Sequence, residues 1–165
     1  MSSAAAVLSN FGSDHWDAEL YAVLSLSARL AALVKNRAQT IHLAYQFWRL
    51  NSALAGFFDD VRSAMDGKKP ASSDVLTAEQ LEDGIRTLRK IHNNLETLYE
   101  AARCSRLTNN SLVAMPLRSV HSYSDEILDL AELLEIYQAG GSDAVFDRSA
   151  RERATGEVYD LTKAQ

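Results

Sequence analysis

Four histidines, at positions 15, 42, 92 and 121, and one cysteine, Cys104, are the first places to look for chemistry in this chain. His42, His92 and His121 fall on three different proposed helices, so a metal site inside a helical bundle has to be tested. Di-metal bundles use Glu-x-x-His pairs backed by further glutamates. Here the residues three positions before the histidines are Gly12, Gln39, Arg89 and Arg118, so that pattern is absent. His42 shares its face with Lys35, Gln39, Gln46 and Arg49, where cations oppose a metal ion. His92 lies between Leu88 and Leu95 in an apolar stripe and is read as a hydrogen-bonded core group. His121 and Asp125, spaced i, i+4 with Glu132 beyond, would give two or three donors on one open face, too few to define a metal centre.

Nucleophilic chemistry is no better supported. Arg103 and Arg106 beside Cys104 favour a thiolate, whereas the helix C-terminus that carries it disfavours one. No histidine is nearby in sequence to act as base. There is no G-x-S-x-G, no phosphate-cradling glycine loop and no zinc cysteine pattern. No catalytic residue, metal ligand or cofactor site is therefore assigned.

Two Arg-x(4–6)-His spacings occur, Arg37 with His42 and Arg86 with His92. This spacing resembles the short motif of the HEPN ribonucleases, helical proteins in which it forms an RNA-cleaving site, usually across a dimer. The resemblance covers only these few residues. With 12 arginines and 4 histidines, about one such match arises by chance. The polar residue that commonly follows the arginine is replaced by Ala38 and by the mildly polar Thr87. A helical enzyme, ribonuclease-like or metal-dependent, is carried as the alternative reading, and the chain is not assigned to the family.

The elements that would position these residues are helical. The 165 residues include only 7 Gly and 2 Pro, fewer than a turn-rich β fold uses. Thr77 and Gln80 make a capping box before the stripe Leu81, Ile85, Leu88, Leu95, Leu98, Ala102, which predicts a helix over 78–103. Gly84 lies in that stripe and permits close approach of a neighbour. Pro116 opens a second helix over 116–138, with Gly140-Gly141 as its stop and Ser142 capping a short helix that carries Val145, Phe146 and Ala150. Between Asp14 and Met65 there is no proline. The polar gap Lys35-Asn36-Arg37, with Asn36 and Gln39 as an N-cap pair, divides this stretch into helices over 14–35 and 38–65. The expected fold is all-α, an antiparallel bundle of four main helices; one long kinked helix over 14–65 is the alternative. Residues 1–141 form the bundle domain and 142–165 a short amphipathic segment and flexible tail. Residues 66–75 read as a loop.

Charge and apolar pattern bear on partners. The net charge is −5, so nucleic acid is not an expected partner. No stretch is apolar enough to span a membrane and no signal peptide is read at Met1 to Asn10. The lone cysteine excludes an intrachain disulfide, and a cytoplasmic location is expected. Residues 20–58 hold Arg29, Lys35, Arg37 and Arg49 and no acid, whereas 119–147 hold seven acids and no base. Pairing of these charges across a bundle edge is the favoured account. Residues 43–65 have two apolar faces. If the chain turns near Asn36, the first helix covers the second face and a monomer suffices. If it runs straight, a homodimer closes that face through Phe47, Leu50, Leu54 and Phe58. The functional expectation is a non-enzymatic helical protein acting through protein–protein contacts, with self-association as its first form.

Overall fold

A computed structural model describes Val7, Asn10, Phe11 and residues 13–66 and 77–154, with 141–154 described by backbone alone. Of the described residues 88% are helical and none lies in a strand, which makes the chain an all-α bundle. Four helices span most of the described residues, α1 (Asp14–Lys35), α2 (Thr40–Met65), α3 (Ala78–Cys104) and α4 (Ala114–Ala154), with a 3-10 turn, Leu107–Asn109, between the last two. The loop read at 66–75, past Asp66, and the tail from 155 lie outside the described residues.

Local chemistry sets each start. Ser13 caps α1, its Oγ accepting from the amide of Trp16 at 3.3 Å, and Asp14 and Asp17 oppose the positive end of the helix dipole. The capping box at α3 is complete: Thr77 Oγ1 accepts from the Gln80 amide at 3.1 Å, and Gln80 Oε1 accepts from the Thr77 amide at 3.0 Å. Asn110 Oδ1 accepts from the Leu112 amide at 3.0 Å, a turn that leads into α4 ahead of Pro116.

The chain does break near Asn36, by a device other than the expected one. Asn36 ends α1 instead of starting α2. Arg37 takes the left-handed conformation at φ 56°, its amide donates to Val34 O, and the Ala38 amide donates to Leu33 O. This is a Schellman stop with arginine in the place glycine usually fills. Gln39 precedes α2 without a side-chain cap bond, and α2 starts at Thr40. The far end of α4 also differs from expectation. Gly140-Gly141 does not stop it, and the helix runs on to Ala154, so the boundary drawn at 141/142 falls inside one helix. Glycine in a helix interior costs about 1 kcal/mol against alanine but keeps its amide, so the hydrogen-bond ladder continues.

α1 packs on α2 and α3, and α4 packs on α2 and α3; the diagonal pairs do not touch among the described residues. Consecutive helices are antiparallel. Ser27 of α1 meets Asn94 of α3, and Asn51 of α2 meets Ser119 of α4, so the side-by-side partners α1/α3 and α2/α4 run parallel. The fold is thus two helical hairpins laid flank to flank. Both short turns, 36–39 and 105–113, lie at the same end.

Every helix contributes leucine to the core, and a chain of aromatic rings links Phe11 with α1, α2 and α4. Phe11, Trp16, Phe57 and Phe58 meet edge to face at centroid distances of 5.2–5.4 Å, and Phe58 stacks on Tyr123 at 5.3 Å. Phe47, Leu50, Leu54 and Phe58, the expected dimer contacts, are each at most 2% exposed in the single chain. They are core. The turn at Asn36 folds α1 back over the face they form, leaving nothing there for a second copy to cover. A Cβ built on Gly84 would stand 3.2 Å from Leu134 Cδ1, which is the close α3/α4 approach that the glycine allows.

Candidate functional site

α3 and α4 bring together the two histidines nearest the middle of the bundle. His92 Nδ1 lies 3.0 Å from Ser124 Oγ and 3.1 Å from the Ser124 carbonyl. Ser124 Oγ donates to Glu96 Oε1 at 2.5 Å, and His121 Nε2 lies 3.8 Å from the same carboxylate. The His121 ring stacks on Tyr99 at 3.8 Å. A histidine, a serine and a glutamate in hydrogen-bond contact have the composition of a nucleophilic site. Ser124, however, is 1% exposed, so its hydroxyl cannot reach a substrate. The cluster is a polar clamp between two helices, and His92 is hydrogen-bonded, as expected, but half-buried.

The other enzymatic constellations stay apart. Arg86 pairs with Glu82 and Asp83 and lines a cleft between α1 and α3, whereas His92 is bonded to α4, so the two face different neighbours. Arg37 and His42 are both exposed. Asp125 is exposed, and with His121 turned onto Tyr99 the pair gathers no third donor among the described residues. Cys104 is exposed, with its thiol donating to Glu100 at 3.6 Å. Arg103 holds the Glu100 carboxyl below the usual carboxylate range.

Charge is sorted by end. The end formed by the two short turns carries Lys35, Arg37, Arg49, Arg103, Arg106 and Arg118, all exposed. Arg103 is paired with Glu100, but no ion pair among the described residues involves the other five. At the opposite end lie Asp14, Asp17, Glu19, Asp59, Asp60, Asp66, Glu79, Glu82 and Asp83. There, burial and then Asp14 and Asp83 push the Asp17 carboxyl up. The pairing expected between the basic stretch 20–58 and the acidic stretch 119–147 does not form among the described residues. α2 and α4 are neighbours but parallel, so their like-charged ends sit side by side.

Exposed apolar side chains follow the same division. Of the six large ones, five gather at the basic end: Ile41 (72%), Tyr45 (61%), Trp48 (45%), Leu112 (55%) and Met115 (62%). Ile41, Tyr45 and Trp48 recur at i, i+4, i+7 and form one row on α2. Met115 stands one turn before Ser119 and Trp48 one turn before Asn51, so the Ser119–Asn51 contact sets Met115 level with Trp48 on the adjacent helix. The Arg49 guanidinium lies 6.0 Å from the Tyr45 ring centre, at the limit of a cation–π contact. The sequence made the fate of the two α2 faces depend on the turn near Asn36; with that turn formed, the face of Phe47, Leu50, Leu54 and Phe58 is core and the row of Ile41, Tyr45 and Trp48 is exposed. The signal that separates them is the charge around each face, since Arg37, His42 and Arg49 flank only the outer row.

No helix among the described residues is long and apolar enough to cross a membrane. The chain matches no family model, no curated protein and no solved structure.

Proposed function

We propose that this chain is a non-enzymatic binding module whose basic end takes an acidic, amphipathic protein segment. One observation carries the reading: among the described residues, five of six exposed large apolar side chains share one end with five cations that have no carboxylate partner. Aromatic and arginine side chains dominate the energetics of protein interfaces, and Tyr45, Trp48 and Arg49 supply both on one helix. A partner helix laying leucines along Ile41, Tyr45 and Trp48, with glutamates toward Arg37, Arg49, Arg106 and Arg118, satisfies the patch. Self-association face to face is disfavoured here, because it would bring two sets of cations together.

The reading is tested with a designed Leu/Glu amphipathic peptide and its Leu/Lys counterpart. The Glu peptide is expected to bind, more weakly as salt rises, and Trp48→Ser to weaken it about thirtyfold, the scale of one interface hot spot. Equal binding of the Lys peptide, or an unaffected Trp48→Ser, rejects the proposal. Sedimentation of the free protein distinguishes the competing occupant: a dimer dissociated by Trp48→Ser would put a second copy on the patch.

A further inference from the structure

At the acidic end, three donor groups from two helices converge on one point. His15 Nε2 lies 2.6 Å from Glu19 Oε1 and 2.8 Å from Asp60 Oδ2. His15 and Glu19 are one turn apart on α1, and Asp60 projects from α2. The two carboxylates are mostly buried, at 21% and 18% side-chain exposure, while the imidazole is 63% exposed and lies over them. Two acidic side chains from different helices turn inward toward the same imidazole nitrogen. Asp14, Asp17 and Asp59 add to the negative potential around them.

We propose that His15, Glu19 and Asp60 form a binding site for a divalent transition-metal ion of the zinc type, which joins α1 to α2 at the acidic end. One imidazole nitrogen and two carboxylate oxygens are borderline donors suited to zinc, with its remaining position left for water. Zinc–ligand distances of about 2.0–2.2 Å in a tetrahedral set separate neighbouring donors by about 3.3 Å. Nε2 stands about 0.5–0.7 Å closer than that to each carboxylate oxygen, and rotation of the exposed ring opens the set. In the bound form Nε2 carries no proton and the neutral ring keeps its proton on Nδ1. All three donor atoms lie within 4.8 Å of one another. The ion would tie together the open ends of the first hairpin, opposite the turn at Asn36.

Tag-free full-length protein titrated with zinc chloride by calorimetry at neutral pH tests this. One equivalent is expected to bind, with His15→Ala and Asp60→Asn each weakening it at least about tenfold, since loss of even an outer partner of a ligand costs that much. Zinc should raise the melting temperature of wild type and leave that of His15→Ala unchanged. Because His15 is on the surface, its variant keeps the fold and the comparison stands even if Asp60→Asn unfolds. If wild type binds zinc no more tightly than His15→Ala, whether through no binding or binding elsewhere, the proposal is overturned and the three groups are an ion-paired triad only.

Discussion

Glu126 is a carboxyl group with 5% of its surface exposed and no hydrogen bond to either oxygen. Arg62, the cation that acts on it, is turned to Asp59 at 2.5 Å and reaches Glu126 only through space. Burial therefore dominates, Asp129 adds to it, and the carboxyl is pushed up to about 7. In the unfolded chain the group titrates near 4.5. As pH rises from about 4.5 to about 7 the unfolded state loses this proton first, so stability falls, by about 1–3 kcal/mol in total. Glu126→Gln should then be more stable than wild type at pH 8 by that amount and close to it at pH 5, measured by urea unfolding. A difference that does not change with pH would show that the carboxyl is already ionised in the fold. His92 gives a second expectation at this scale. Its loss removes both of its contacts to Ser124 across α3 and α4, so His92→Ala should cost about 1–3 kcal/mol. His42→Ala, on the surface, should cost almost nothing. Equal melting temperatures for the two variants would mean that the clamp contributes nothing.

The two short turns share an unusual choice at the scale of elements. Arg37 and Arg106 both take positive φ, 56° and 61°, at the ends of α1 and α3. The left-handed region costs a residue with a Cβ about 1–2 kcal/mol, a cost that glycine avoids. Arg37→Gly is therefore expected to stabilise the fold by about 1 kcal/mol while weakening capture of the acidic peptide. If that substitution destabilises, the arginine side chain holds the turn in a way the backbone does not reveal. The same turns show what could be read from sequence. Helices α1 and α3 were legible within a residue or so, because their stripes are helical in period and the α3 cap, Thr77 with Gln80, is local chemistry; the Ser13 cap of α1 was not singled out. The break at Asn36 was legible as a polar gap, but not as a Schellman stop, since nothing in Asn-Arg-Ala announces a left-handed arginine. The run of α4 through Gly140-Gly141 was missed because glycine signals a stop only when the backbone takes positive φ. The choice between the two faces of α2 was legible only in the charges beside the Ile41 row, and the α1 fold-back, a tertiary fact, decides it. Likewise the i, i+4 pair His15 and Glu19 was not singled out from sequence, and Asp60 joins it only once the hairpin closes. Leu54→Glu follows from that placement: at 0% exposure it should unfold the protein outright, and a folded monomer would contradict the core assignment.

For the whole molecule, the sorting of charge matters more than its sum. A net charge of −5 predicts repulsion from polyanions if spread evenly. With Lys35, Arg37, Arg49, Arg106 and Arg118 at one end, the chain presents a positive face of short range. It should be retained on a cation-exchange resin at low ionic strength and neutral pH, and the double variant Arg37→Ala/Arg106→Ala should elute earlier. Flow-through of wild type would mean that the acidic end governs its long-range field.

The flank-to-flank arrangement of the hairpins has a consequence for how the chain can be divided. Each hairpin closes through a short turn, so α1 with α2 and α3 with α4 form contacts that are near in sequence, and only the seams between the hairpins join distant residues. Loop-closure entropy makes the near contacts cheaper to form. The link between Asp66 and Thr77 joins the two halves in one chain and so keeps them at high effective concentration. A chain cut between them should therefore reassemble from two separately produced pieces, each ending or beginning in that connection, with the seams Ser27–Asn94 and Asn51–Ser119 restored. Mixing the pieces and following helical signal against concentration would reveal a second-order association step absent from the intact protein.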